Sequence, residues 1–235
     1  MAVSLPGSLE VPLFPLPGVV LFPGAILPLR IFEPRYVQLL KDVLATDKLI
    51  GMPQVLPGGQ YLSDSMELPE PELHAVFGVG LIIAHQPMDD GTHHIALLGQ
   101  ARYRIDSEVP HSPYRIARAR TLLDRIPDEA QHQRELSVQH KRLLELGAAI
   151  MSKTLEGEGS QHLKKAFGER REPGANADLL ASVYVQDAHL KQLLLETLDV
   201  RARVGLVCAV LEKLLCRLEP KEPTYDYQPE AVVLN

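Results

Sequence analysis

Nine histidines, two cysteines and thirty acidic side chains are the groups in this 235-residue chain that could hold a metal or move a proton. Their spacing leaves little of that chemistry open. His93 and His94 are adjacent, and neighbours on a strand point to opposite faces, so they make a poor pair of ligands for one ion. Asp89 and Asp90 lack the alternating acidic loop that calcium needs and sit before Gly91 in a turn signal. Lone acids such as Glu33 or Asp106 serve as general bases only inside a cleft. The sequence contains no phosphate-binding loop, no Ser-x-x-Lys, no Gly-x-Ser-x-Gly, no His-Glu-x-x-His and no Cys-x-x-Cys. The expectation is a protein with no catalytic residues, no metal and no cofactor.

Without a motif, the elements carry the argument. Val11 to Leu16, Val19 to Phe22 and Ala25 to Ile31 are apolar runs punctuated by Pro17-Gly18 and Pro23-Gly24. They predict short strands joined by tight turns. Glu33-Pro34 starts a helix, with proline at its first position and an apolar stripe at Tyr36, Val37, Leu40, Val43 and Leu44. Lys48 to Val55 predicts a strand, and Leu56 to Leu73 a long exposed loop. Ala75 to His85 and His94 to Ile105 form a hairpin about the Asp89-Asp90-Gly91 turn, and Tyr114 to Leu123 alternates as a half-exposed strand.

After Pro127 the period changes. Leu136, His140, Leu143, Gly147 and Ile150 recur at helical spacing. An interval rich in Gly, Pro and charge, from Glu156 to Ala177, precedes two or three further helices over Leu179 to Val185, Leu190 to Leu198 and Val200 to Leu218, with Asp187 and Asp199 as N-caps. Val200, Val204, Val207, Leu211, Leu214 and Leu218 form a regular seam that suits a neighbouring helix of the same chain, which favours a monomer, with a homodimer as the alternative. The organisation predicted is α+β: a β domain over residues 1–126, a helical domain over 127–218 and a tail over 219–235.

The formal charge of −6 gives no obvious polyanion-binding half. No basic residue precedes Arg30, and no run approaches the ~18 apolar residues of a membrane span. Cys208 and Cys216 on one helix stand roughly 12 Å apart at ~1.5 Å rise per residue, too far for a disulfide. A cytoplasmic protein with no membrane association is expected.

The residues Val11-Pro-Leu-Phe-Pro-Leu16, Val20-Leu-Phe-Pro-Gly24 and Leu27-Pro-Leu-Arg-Ile-Phe-Glu-Pro-Arg-Tyr36 resemble the opening of the Lon amino-terminal domain family. Phe77-Gly78-Val79-Gly80, Asp90-Gly91 and Leu98-Gly-Gln-Ala-Arg-Tyr-Arg-Ile105 resemble its hairpin, and Lys191 to Glu196 leading into Asp199 to Arg203 its helical half. The resemblance runs from about Glu10 to Leu218. It implies a PUA-like β pseudo-barrel with one helix, followed by an α-helical bundle. In Lon this region precedes an ATPase and a Ser-Lys peptidase and helps to select unfolded or tagged substrates; neither enzymatic module is present in this sequence. The implied function is a non-catalytic module that binds unfolded or specific protein and peptide partners. The alternative is an RNA-binding PUA-like protein using Arg102, Arg104, Arg115, Arg118 and Arg120 with Tyr103 and Tyr114, although the acidic balance makes nucleic acid the weaker choice. The partner-binding candidates are Phe32, Tyr36, Arg102, Tyr103, Arg104 and Arg118.

Overall fold

The computed structural model describes residues 6–56, 71–154, 167–168 and 171–218. Most of the expected loop between Leu56 and Leu73, and all of the tail, lie outside these residues.

Six antiparallel strands form one sheet: β1 (Ser8–Pro12), β2 (Ile26–Ile31), β3 (Leu49–Met52), β4 (Val76–Pro87), β5 (His93–Val109) and β6 (Ile116–Leu122). Their order is β1-β6-β5-β4-β3, with β2 added to β5 beyond β6. The chain after β1 closes the sheet into a pseudo-barrel. Phe14 N donates to the Gly51 carbonyl (2.8 Å), and Leu13 and Leu16 bridge Gly51 and Gln54 in parallel. The run Val19 to Phe22, expected as a strand, is instead irregular and crosses tightly over the hairpin of β4 and β5. A Cβ on Gly78 would stand 1.9 Å from the Leu21 carbonyl oxygen, and one on Gly99 2.0 Å from that of Phe22. Only glycine permits that approach, and it replaces ladder pairing along the crossing segment.

Helix α1 (Pro34–Leu44) begins as its Glu-Pro pair predicts, with Pro34 in the first turn after an extended Glu33. It buries Tyr36, Leu39, Leu40 and Val43 against Ile31, Ile82, Ile95 and Leu97 of the sheet.

The helical part comprises α2 (Ala130–Thr154), α3 (Pro173–Tyr184), α4 (Ala188–Glu196) and α5 (Val200–Leu218). Helix α3 begins earlier than the predicted Leu179, again with a Glu-Pro pair at Glu172-Pro173. The Asp187 carboxylate accepts from Leu190 N (2.6 Å) and that of Asp199 from Ala202 N (2.9 Å), so both expected caps form. The α5 seam is covered within the chain: Val204, Val207 and Leu211 are fully buried among residues of α2, α3 and α4. That same core continues into Val20, Phe22, Ala25 and Val76, so packing crosses residue 126 without a break. Among the described residues no helix is long and apolar enough to cross a membrane.

Candidate functional site

Two places in this fold hold side chains that ordinary partitioning would put elsewhere. The first lies where α3, α4 and α5 meet the sheet. Arg102, on β5, is buried there. Its Nη1 and Nη2 donate to both carboxylate oxygens of Asp178 on α3 (2.9 and 2.5 Å), and its Nε donates to the Leu195 carbonyl (2.9 Å). Arg203, fully buried on α5, donates to the Asp124 carboxylate and to the Thr197 carbonyl. Its Nε stands 3.1 Å from Asp178 Oδ1, in ion contact but off hydrogen-bond alignment. Gly174 makes room for the cluster, since a Cβ there would come within 2.6 Å of Arg203 Nη2. Burial pushes the Asp178 carboxyl up from the ordinary carboxylate range, while the two guanidiniums pull it back. A buried carboxylate held by two guanidiniums is satisfied internally and has nothing left to offer a ligand. This cluster joins the helices to the barrel.

The second place is the outer face of the ribbon β2-β5-β4, and the register builds it row by row. Ile26 is opposite Leu98, which is opposite Leu81; Pro28, Ala96 and Ala84 form the next row; Arg30, His94 and Gln86 form the last. Directly paired residues of antiparallel strands share a face. A bulge between Ile82 and Ala84 inserts Ile83 at the open edge of β4, past the point where pairing with β3 ends at Leu81. Ile26 is 62% exposed and Ile83 48%. Phe32, just after β2, is 64% exposed. The opposite face of the ribbon is the one that packs on α1. Apolar side chains thus remain on both faces; on the outer one Leu81 packs against the barrel core and Ile26 is left exposed.

The six residues expected to touch a partner divide evenly. Phe32, Arg104 and Arg118 are exposed. Tyr36, Tyr103 and Arg102 are buried and cannot meet a partner in this arrangement. Tyr36 packs edge-on to Phe14 with ring centroids 4.2 Å apart. The Tyr103 hydroxyl donates to the Pro6 carbonyl (2.7 Å) inside the barrel. Arg102 misled because β5 is covered at that point by barrel residues on one side and helices on the other, so alternation no longer separates inside from outside.

Three of the five arginines of the strip suggested for RNA are paired with acids. Arg115 pairs with Glu108, Arg118 with Glu10 (2.6 Å) and Arg120 with Asp106 (2.9 Å). With Arg102 sealed inside as well, the RNA-binding alternative is not favoured. Among the described residues no group of three or more His, Cys, Asp or Glu is placed to hold a metal ion. The residues missed by sequence reasoning are Ile26 on the face, Ile83 at the edge of β4, and Asp178 and Arg203 in the cluster. Ile26-x-Pro28-x-Arg30 carried a strand alternation that would have shown Ile26 pointing with Arg30 toward water.

Comparison with known proteins decides the family. The substrate-binding domain of ATP-dependent protease La (Lon) matches residues 10–213. The chain belongs to the Lon substrate-binding domain family. Lon protease 2 of Sorangium cellulosum is 31% identical over 228 residues, which cover 92% of this chain and 26% of that protein. The chain spans about a quarter of the length of the curated Lon relatives it matches. The fold agrees with two solved structures. A Lon N-terminal domain protein from Xanthomonas campestris superimposes with a TM-score of 0.56 at 20% identity, covering 86% of this chain and 98% of that one. The N-terminal domain of Mycobacterium avium complex Lon protease gives 0.62 at 14%, with the same coverage of both chains. The matched region is the Lon substrate-binding domain, so the glycines of the hairpin and the Glu-Pro helix start sit in a fold that Lon proteins use.

Proposed function

We propose that this Lon-type domain is a non-catalytic module that captures exposed apolar stretches of unfolded or specific protein and peptide partners on the outer face of β2-β5-β4. The single observation that supports this reading is the exposure of two large apolar side chains on this ribbon, Ile26 on its outer face and Ile83 at the bulged open edge of β4. Monomeric proteins seldom leave contiguous apolar surface open without a use for it. Phe32 at the end of β2 extends the face with an aromatic anchor, and Arg30 and His94 give it a polar margin. The module acts as a monomer in the cytoplasm, with no cofactor, and keeps the organisation of a β domain over 1–126, a helical domain over 127–218 and a tail over 219–235.

The test is the affinity of the untagged chain for permanently unfolded, reduced and carboxymethylated α-lactalbumin, measured against the native protein. The unfolded form should bind and the native form should not. Burying one isoleucine contributes about 1.5 to 3 kcal/mol, and 1.4 kcal/mol is a factor of about ten. Replacing Ile26 and Ile83 together with serine should therefore weaken binding at least about tenfold. An unchanged affinity in the folded double variant would move the site elsewhere, and turnover of ATP or of the bound polypeptide above a buffer blank would overturn the non-catalytic reading.

A further inference from the structure

The hairpin of β4 and β5 carries three histidines near its tip, and the register separates them. His94 stands opposite Arg30 and Gln86 on the outer face. His85 is opposite Ile95, while His93 is opposite Pro87 and Ile31, which puts both on the other face. They are diagonal neighbours on adjacent strands, a placement in which long side chains meet. Here the ring nitrogens meet: His85 Nε2 lies 3.0 Å from His93 Nδ1, with ring centroids 5.2 Å apart and planes inclined by 29°.

We propose that His85 and His93 form a surface site for a divalent transition-metal ion that prefers imidazole nitrogen, zinc above all, with water completing its coordination. Three features support it. A zinc ion binds imidazole nitrogen at about 2.0 to 2.1 Å, so two such ligands at a tetrahedral angle stand about 3.3 Å apart. The observed separation is a few tenths of an ångström short of that, and both rings must also turn so that their lone pairs converge on the ion instead of pointing at each other. Next, the paired strands fix both Cβ positions, so the ligands are brought together before any ion arrives and little ordering remains to oppose binding. Last, His85 is exposed and His93 half-buried, which leaves the nitrogens within reach of a hydrated ion. Burial and the neighbouring His93 hold the His85 imidazole below its ordinary pKa, which keeps its lone pair available near neutral pH. The short contact otherwise serves only as a hydrogen bond between neutral rings, in which a shared proton occupies the place of the ion. Because the two ligands come from different strands, the ion would clip the hairpin shut.

The experiment titrates zinc chloride into the full, untagged, chelator-treated chain by calorimetry, with histidine ring nitrogen NMR as a second readout. Saturable binding of one ion should shift the signals of His85 Nε2 and His93 Nδ1. Either His85→Ala or His93→Ala should weaken binding at least tenfold, while His94→Ala leaves it unchanged. Both variants alter side chains at the solvent-facing hairpin tip and should fold as the parent does, which their metal-free circular dichroism will report. The proposal is overturned if the parent binds zinc no more tightly than the His85→Ala/His93→Ala double variant, or if the loss follows His94→Ala instead. Neither result bears on polypeptide capture by the opposite face.

Discussion

The junction cluster and the outer ribbon face share a strand, β5, and invert each other's chemistry. At Arg102 charge is buried; at Ile26, in the row of half-buried Leu98 and Leu81, apolar carbon faces water. The cluster tolerates burial because Arg102 meets both oxygens of Asp178 and Arg203 reaches Asp124 and the Thr197 carbonyl. Such a region is closed to ligands, since both guanidiniums are buried and both oxygens of Asp178 are already taken. The ribbon face has the opposite property: its alternate side packs on α1, and on its outer side Leu81 reaches the barrel core while Ile26 is left exposed. An unusual residue that is satisfied internally reports architecture, whereas one left exposed on a sheet face is a candidate point of contact.

Breaking the cluster should give the largest effect. Asp178→Ala strands two guanidiniums in a buried site, and removing one partner of a buried pair typically destabilises by about 3 to 5 kcal/mol. Urea unfolding should show it, and a loss under about 1 kcal/mol would mean that water reaches the cluster and the contrast with the exposed face is weaker than drawn.

An intermediate effect is expected beside α1, where the half-hidden Tyr114 hydroxyl donates to the Asp42 carboxylate (2.7 Å). Burial first, then the bond to Asp42 and its charge, push that phenol up to about 12 from 10.0. A group whose folded pKa is raised lends stability that is intact below its unfolded pKa and is lost as pH climbs through the folded one. Stability should therefore fall between about pH 10 and about pH 12 more steeply in the parent than in Tyr114→Phe. Parallel curves for the two proteins would show that the hydroxyl is solvated like a surface group.

The smallest change concerns the exposed face itself. Ile26→Ser and Ile83→Ser remove carbon that is already wet, so thermal unfolding should stay within about 0.5 kcal/mol of the parent. A loss of 2 kcal/mol or more in either would reveal that the face is covered, and would turn the ribbon into a second piece of core.

Much of this architecture was readable beforehand, and the failures have physical causes. The Glu33-Pro34 helix start, the Gly91 turn with its φ of 78°, the caps at Asp187 and Asp199 and the α5 seam all rest on local rules, and each formed where expected. The Glu172-Pro173 signal was the same device as Glu33-Pro34, yet a surrounding stretch rich in charge and glycine hid it. The candidate sites fared worse. Arg102 and Tyr103 are adjacent on β5 and both buried, which no alternating pattern anticipates because the covering helices come from much later in the chain. Phe32 was legible as an aromatic beside a helix start, but its exposure depends on where β2 ends. The edge at Ile83 was illegible, since it exists only because β3 stops pairing at Leu81.

The bond between Arg102 and Asp178 also sets a schedule for synthesis. Its partners are 76 residues apart, and a ribosome adding about 5 to 20 residues per second needs roughly 4 to 15 s to make that stretch. Throughout that interval the guanidinium of a nearly finished barrel must remain in water, because the helix that neutralises it has not yet been made. The β part can assemble on the way out, but its wall at β5 stays open until α3 arrives. Translation that stalls between the two residues would therefore leave a nascent chain with an unfinished flank, exposed to the same quality-control proteins that recognise incomplete folds.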